Sequence, residues 1–141
     1  MTAKAEDCIF CHIVADPAQS DVLWEDEHVL AFMDINPVTD GHALVVPKEH
    51  SVGLTDINPR TAAQMMEVAQ HLAAAMKEST LCCEGVNLFF ADGEAAFQEV
   101  FHSHLHVFPR FSGDGFRIDA HWYGRSKGSL AASAAAIRDV L

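Results

Sequence analysis

The sequence predicts an α+β fold, in which a mostly antiparallel sheet of about five strands packs on one long helix and a short C-terminal helix follows. Short runs rich in β-branched and aromatic residues occupy the chain up to residue 47, and again from residue 86 to residue 108. One long stretch with apolar residues at the helical period lies between them. The chain has 141 residues, half of them hydrophobic, which suits a single domain with a substantial core.

Three strands are expected in the first third of the chain. Residues 22–25 and 28–33 are predicted to pair around a tight acidic turn. Pro37 marks the loop that follows them. Residues 42–46 form the third predicted strand, which Pro47 is expected to end.

The long helix is predicted to begin after Asn58, because asparagine suits the N-cap and Pro59 suits the first helical position. Its apolar residues recur at the helical period and are interpreted as core packing: Ala62, Met65, Met66, Ala69, Leu72, Ala73 and Met76. Residues 86–91 form the next strand, expected to pair antiparallel with the last strand. Residues 128–141 are alanine-rich and favour the C-terminal helix.

Three alternating histidines carry the strongest chemical signal in the chain. His102, His104 and His106 are spaced by two residues, and a strand would place their imidazoles on one face, about 6.5–7 Å apart. Apolar neighbours favour a strand over residues 100–108, which Pro109 is expected to end. A surface strand with three chance histidines is the alternative. Three groups that titrate near neutrality on one face favour a site.

Cys8 and Cys11 suggest a metal centre. Their spacing allows two thiolates to bind one tetrahedral ion. A redox pair would normally lie between a strand and a helix of a βαβ unit, which the pattern does not show. Two free cysteines with no metal remain the alternative. The adjacent pair Cys82 and Cys83 cannot readily chelate one ion and is interpreted as structural.

The charge and hydropathy of the chain exclude two classes of partner. The net charge of −11 argues against nucleic-acid binding, which requires a basic face. No apolar run approaches the roughly 20 residues that span a bilayer, so no membrane association is expected. The N-terminal residues lack the apolar segment of a signal peptide, which predicts a cytoplasmic protein with reduced cysteines.

The histidine stretch resembles the histidine-triad (HIT) motif, in which three histidines alternate with apolar residues. Similar segments stand upstream in the order of bacterial HIT proteins, at residues 8–11, 31–37, 41–50 and 98–101. The resemblance covers about residues 6–118, so residues 1–141 are interpreted as one HIT domain with a variable segment at 119–141. It implies a HIT-like fold and a homodimer, because the family covers its exposed sheet edge by dimerising.

The resemblance also implies an activity. His104 would attack the α-phosphorus of a purine nucleotide and form a nucleotidyl-histidine, from which water releases the nucleoside monophosphate. His106, the amide of Gln98 and the His104 backbone N–H would stabilise the phosphoryl charge, with His102 orienting its neighbours. Nucleoside phosphoramidates are the expected substrates. Dinucleoside polyphosphates are one alternative, and a nucleotide- or zinc-binding regulatory module with little turnover is another.

The nucleotide would lie against residues that the resemblance assigns as follows. The purine would contact five apolar residues: Ile9, Phe10, Ile13, Phe32 and Ile35. Asp34 would accept both ribose hydroxyls, and Glu99 would lie near the leaving group. From the residues alone, the apolar side chains could equally belong to the core, and Asp34 could cap the following turn.

The resemblance implies a structural zinc ion and no organic cofactor. Its ligands would be Cys8, Cys11, His50 and His102, a closed tetrahedral set that pins the N-terminus beside the histidines. Three positions depart from the family pattern: Ala91 replaces a frequent Asn, Phe97 replaces a usual Gly, and Ser103 replaces an apolar residue. His42 matches a further family histidine behind the site.

Overall fold

A computed structural model describes residues 5–122 and 124–141 and shows the predicted α+β architecture. The five strands are β1 (Val22–Glu25), β2 (Val29–Met33), β3 (Ala43–Pro47), β4 (Gly85–Phe90) and β5 (Leu105–Arg110). The helices are α1 (Ile9–Ala15), α2 (Pro59–Glu78) and α3 (Lys127–Arg138), with short 3₁₀ turns between elements. All strand pairs are antiparallel, in the order β1-β2-β3-β5-β4, which confirms the predicted sheet and the pairing of its last two strands.

The sheet is covered on both faces, because its strands β2 and β3 are apolar throughout. The face that carries Val29, Ala31 and Val45 packs against α2. The opposite face carries Leu30 and Phe32 and packs against α1. Successive strand residues point to opposite faces, so each of these continuous apolar strands contributes to two separate clusters.

Helix α2 begins as predicted. The side chain of Asn58 accepts a hydrogen bond from the backbone N–H of Arg60 at 2.9 Å, and Pro59 is the first helical residue. Five residues of its stripe are buried: Met65, Val68, Ala69, Leu72 and Met76. Met66 is 47% exposed, so its predicted core position is wrong. Met66 lies beside the narrow stripe of α2 that contacts the sheet, and Val68 belongs to that stripe.

The prediction of one strand through all three histidines is wrong. β5 starts at Leu105, so of the three only His106 lies in a strand, and His102 and His104 lie in the irregular segment before it. Pro109 does not end β5 but pairs with Val86. The pairing of β5 with β3 stops at Val107, so the missing N–H of proline interrupts no ladder bond there.

Two helical segments flank this core. Helix α1, which the sequence analysis did not predict, is only seven residues long and begins directly after Cys8. Helix α3 confirms the predicted C-terminal helix and buries none of its residues. None of the helices in residues 5–122 and 124–141 is both long and apolar enough to cross a bilayer.

Candidate functional site

Two cysteines and two histidines converge where α1 meets the segment before β5. The Nδ1 atom of His102 lies 3.4 Å from the Sγ atom of Cys8 and 3.5 Å from that of Cys11. The Nδ1 atom of His50 lies 3.2 Å from the Sγ atom of Cys11 and 3.2 Å from His102 Nδ1. Ligand atoms around a tetrahedral zinc ion are separated by about 3.3–3.8 Å, given metal–ligand bonds of about 2.0–2.3 Å. The four residues that the resemblance assigned to zinc therefore form a possible metal centre.

The local structure explains why these atoms meet. Cys8 is the N-cap of α1, and its Sγ accepts the backbone N–H of Cys11 at 3.4 Å, so one helical turn brings both sulfurs to one side. The Nε2–H of His102 donates to the carbonyl of Pro47 at 2.8 Å, which leaves Nδ1 unprotonated and directed at the sulfurs.

Burial governs the ionisation of this cluster. It lowers the pKa of His102 to about 4, so this imidazole is neutral at pH 7 and able to act as a ligand. Burial, together with the hydrogen bond to Cys8, raises the pKa of the Cys11 thiol to about 11. A divalent cation would lower it again, because the thiolate is the ligand form. The buried Nε2 atom of His50 has no hydrogen-bond partner among the described residues.

The tautomer of His104 is fixed by a hydrogen bond to the backbone. Its Nδ1–H donates to the carbonyl of His102 at 2.7 Å, so in the neutral imidazole the lone pair lies on Nε2. Burial lowers its pKa, which the bond to this carbonyl partly offsets, and the ring is neutral at pH 7. The edge of the Phe10 ring packs against it, with ring centroids 5.2 Å apart.

A second chain of hydrogen bonds sets the tautomer of His106. The backbone N–H of Val38 donates to Nδ1 of His42 at 3.0 Å, so the proton of the neutral His42 ring lies on Nε2. His42 Nε2 lies 2.8 Å from Nδ1 of His106, which must therefore accept. The proton of His106 then lies on Nε2, available to a neighbouring acceptor. Its ring centroid lies 4.9 Å from that of His104.

Asp34, His42 and His106 also group closely enough to suggest a second metal site. The hydrogen bond from Val38 argues against one, because His42 would have to lose its Nε2 proton and become an imidazolate. The Asp34 carboxylate instead lies 3.6 Å from His42 Nε2.

Burial, with the neighbouring His104 and His42, lowers the pKa of His106 to about 4, so this ring is neutral at pH 7.

The residues assigned to the nucleotide divide into a buried and an exposed group. Phe10 and Phe32 are buried in the cluster under α1, with ring centroids 5.6 Å apart, so they also belong to the core. Ile9 and Ile35 are 53% and 91% exposed, and Ile13 is half-buried. Asp34 accepts the backbone N–H of Asn36 at 2.8 Å. It therefore caps a turn, while its other oxygen faces His42.

The amide of Gln98 is directed at the backbone. Its Nε2 donates to the carbonyl of Val52 at 2.6 Å and to that of Val100 at 3.1 Å, and its Oε1 accepts the N–H of Gly93 at 2.8 Å. Both amide protons are therefore occupied, and phosphate binding by this group stays a prediction. Glu99, the next residue, is exposed.

Comparison with known proteins decides the family. Residues 16–113, more than half of the chain, match the HIT domain. The chain belongs to the HIT family. An uncharacterized HIT-like protein of Borreliella burgdorferi is 45% identical over 111 residues, which cover 78% of this chain and 80% of that protein. The adenosine 5'-monophosphoramidase HNT1 of Saccharomyces cerevisiae is 40% identical over 103 residues, covering 73% of this chain and 62% of that enzyme.

Solved structures of HIT proteins agree with the fold. A HIT family protein from Bacillus anthracis superposes with a TM-score of 0.87 at 37% identity, covering 98% of this chain and 99% of that chain. A zinc-bound histidine triad family protein from Mycobacterium smegmatis is 44% identical, with a TM-score of 0.76 and coverage of 96% and 98%.

One residue beside the candidate site, Phe89, was not among those predicted from the sequence. Phe89 on β4 pairs with His106, and its ring lies edge-on to that imidazole at 5.9 Å between centroids. Directly opposite residues of an antiparallel pair share a face. Pairing the predicted strand at 86–91 with the histidine stretch would have found Phe89, had the register been known.

Proposed function

We propose that this HIT protein is a nucleotide hydrolase or transferase that acts at the α-phosphate of purine nucleotides through a nucleotidyl-His104 intermediate, with nucleoside phosphoramidates as substrates. The observation that carries the proposal is the bond from His104 Nδ1–H to the carbonyl of His102. It leaves a neutral imidazole with its lone pair on Nε2, which is the nucleophilic form.

The reaction has two steps, in which His104 is the nucleophile and His106 transfers the proton. Nε2 of His104 forms a bond to the α-phosphorus while the bond from phosphorus to the leaving nitrogen breaks. The Nε2–H of His106 gives the departing amine its proton, and the hydrogen bond from His42 Nε2–H to His106 Nδ1 keeps His106 in the tautomer that carries that proton. The oxygen of a water molecule then bonds to the phosphorus while the bond from phosphorus to His104 Nε2 breaks; the water returns a proton to Nε2 of His106, and the nucleoside monophosphate leaves.

The nucleotide lies between α1 and the loop after β2 in this proposal. Phe10 and Phe32 form the buried floor, while the exposed Ile9 and Ile35 contact the purine. The Asp34 carboxylate takes the ribose hydroxyls. A zinc ion at the Cys8 cluster is structural, because all four donors are protein side chains and leave no position open for substrate. The zinc-bound mycobacterial relative supports this choice of metal.

Dinucleoside polyphosphates are the second candidate substrate class. The exposed carboxylate of Glu99 favours an amine over an anionic polyphosphate as leaving group, because like charges repel. Glu99→Gln should therefore raise the rate of polyphosphate cleavage relative to phosphoramidate cleavage. An unchanged ratio would exclude this role for Glu99.

The decisive experiment measures AMP release from adenosine 5′-phosphoramidate and from diadenosine tetraphosphate. Wild type, His104→Ala and the matched control His28→Ala are compared, since His28 is an exposed histidine whose ring lies 3.8 Å from the exposed Glu27. The proposal expects release by wild type and His28→Ala and none by His104→Ala. AMP binding without release from either compound would instead support a nucleotide-binding module.

A homodimer is also proposed, joined through the edge of the sheet at β4. Leu88 and Phe89 on this strand are 43% and 45% exposed. β4 contains no charged residue and pairs with β5 without a register shift over six positions. The other edge, β1, carries a bulge between Val22 and Trp24, a feature that discourages pairing with another chain.

A further inference from the structure

Ser103 is a fully buried hydroxyl between the metal-ligand candidate His102 and the nucleophile His104. A buried hydroxyl is costly unless it is hydrogen-bonded, whereas an apolar side chain would fill this position without that cost. The role of Ser103 must therefore be sought in the contacts of its hydroxyl.

The hydrogen bonds that this hydroxyl makes with the described residues go to one loop, residues 51–53. Ser103 Oγ lies 3.1 Å from the carbonyl oxygen of Ser51 and 3.0 Å from that of Gly53, and it accepts the Oγ–H of Ser51 at 3.0 Å. Its single proton is shared between the two carbonyls. The hydroxyl thus holds residues 51–53 from both ends.

The same loop fixes the peptide that orients the nucleophile. The backbone N–H of Ser103 donates to the carbonyl of Ser51 at 2.7 Å. The carbonyl of that peptide unit belongs to His102 and accepts Nδ1–H of His104 at 2.7 Å. Since a peptide unit is planar, holding its N–H also holds its carbonyl in the direction of the His104 ring.

Two further contacts lock the loop in place. Gln98 Nε2 donates to the carbonyl of Val52, and the backbone N–H of Leu54 donates to Asp92 at 3.0 Å. A Cβ atom at Gly53 would approach Asp92 Oδ1 to 2.3 Å, so any other residue at this position would displace the Asp92 carboxylate. The loop directly follows His50, whose ring belongs to the metal cluster.

We propose that Ser103 is a positioning residue that joins the metal centre to the nucleophile. Its hydroxyl holds the loop after His50 against the His102–Ser103 peptide, so that the His50 ring and the His102 carbonyl keep their places together. The inference rests on the proposed function for its effect on His104 and is independent of that function for its effect on the metal. Loss of the hydroxyl should lower kcat and metal affinity and leave KM unchanged.

The test compares Ser103→Thr with Ser103→Val, because these side chains have the same shape and differ in the hydroxyl. Zinc affinity is measured by competition with a chromophoric chelator, and kcat and KM are measured with adenosine 5′-phosphoramidate. The valine variant should bind zinc about tenfold more weakly than the threonine variant, as expected when support for a ligand is lost. It should also show a lower kcat at equal KM.

Equal zinc affinity and equal kcat in the two variants would overturn the proposal. If the valine variant does not fold, as judged by circular dichroism, Ser103→Ala is compared with wild type by the same measurements and the same criteria. A wild type without AMP release refutes the proposed function, while the zinc comparison still decides whether Ser103 supports the metal centre.

Discussion

Phe97 holds a backbone conformation that favours glycine, with φ of 70°, and its side chain is 81% exposed. The left-handed region costs a residue with a Cβ atom about 1–2 kcal/mol. Because the Phe97 ring is mostly exposed, its burial does not offset that cost. Phe97→Gly should therefore raise the free energy of unfolding, by about 0.5–1 kcal/mol after the greater flexibility of glycine in the unfolded chain is included. Urea denaturation measures the change.

The neighbouring Ala96 provides the control for this substitution. Ala96 is the last residue of the 3₁₀ turn Glu94–Ala96, directly before Phe97. Its φ is not positive, whereas that of Phe97 is. Ala96→Gly should lower the free energy of unfolding, because it adds flexibility without relieving strain. A loss of stability in both variants would show that the Phe97 ring contributes more by contact than its conformation costs.

The side chains of the site differ in how far the sequence could predict them. The cluster of possible metal ligands was predictable, because a metal centre needs particular residue types. The resemblance named its four members, and the structure brings them together: Cys8, Cys11, His50 and His102. The direction in which the Gln98 amide points could not be predicted, since its hydrogen-bond partners are backbone groups of Val52, Val100 and Gly93. Backbone groups exist at every position and leave no signal in a sequence.

At the level of elements, the start of α1 combines a helix cap with a candidate metal ligand. Cys8 serves as N-cap and contributes its sulfur to the cluster. Cys8→Ser keeps a good cap, because serine is a preferred N-cap residue, but removes the thiolate. With zinc bound, we expect wild type to be more stable than Cys8→Ser. After chelation, the variant should be at least as stable as wild type.

Thermal unfolding with and without a zinc chelator tests this prediction. The fall in Tm on chelation should be several degrees for wild type and near zero for Cys8→Ser, since binding to the folded state alone raises Tm. The exposed Cys82→Ser is the matched control and should respond as wild type does. Equal falls in all three proteins would show that the cluster does not bind the metal.

Elements with strong local signals were the predictable ones. Helix α2 has a cap, a proline at its first position and a long apolar stripe, and it begins where predicted. The prediction of one strand through the three histidines was wrong, because alternation of residue types alone cannot distinguish a strand from an extended loop. The segment before Leu105 bonds to the loop at Ser51 rather than to a neighbouring strand. Helix α1 has too few residues for a helical period to show.

For the whole molecule, the buried histidines predict a dependence of stability on pH. Burial lowers the pKa of His42, His104 and His106, the last to about 4, while an unfolded histidine titrates near 6.5. Between these values the unfolded chain binds more protons, so the free energy of unfolding should fall as pH is lowered from about 7 to 4. Urea denaturation of chelator-treated protein at a series of pH values measures this fall.

Two variants identify the groups responsible. His106→Gln should show a shallower fall than wild type, because one buried titrating group is removed. His28→Gln should behave as wild type, since the side chain of His28 is 51% exposed. The salt bridge from Arg110 lowers the pKa of Asp114 below its usual value, so its contribution is lost mainly below pH 4, outside this range. An equal pH dependence in all three proteins would contradict the assignment.

The assembly of the molecule depends on which sheet edge is open to a second copy. β4 is regular and uncharged, whereas β1 is interrupted by a bulge, so the proposed dimer uses β4. Leu88 on β4 and Leu23 on β1 are 43% and 46% exposed, which makes them a matched pair. Leu88→Lys should convert the dimer to a monomer in sedimentation velocity, and Leu23→Lys should leave it intact. A monomeric wild type would refute the dimer, and dissociation by Leu23→Lys alone would move its interface to β1.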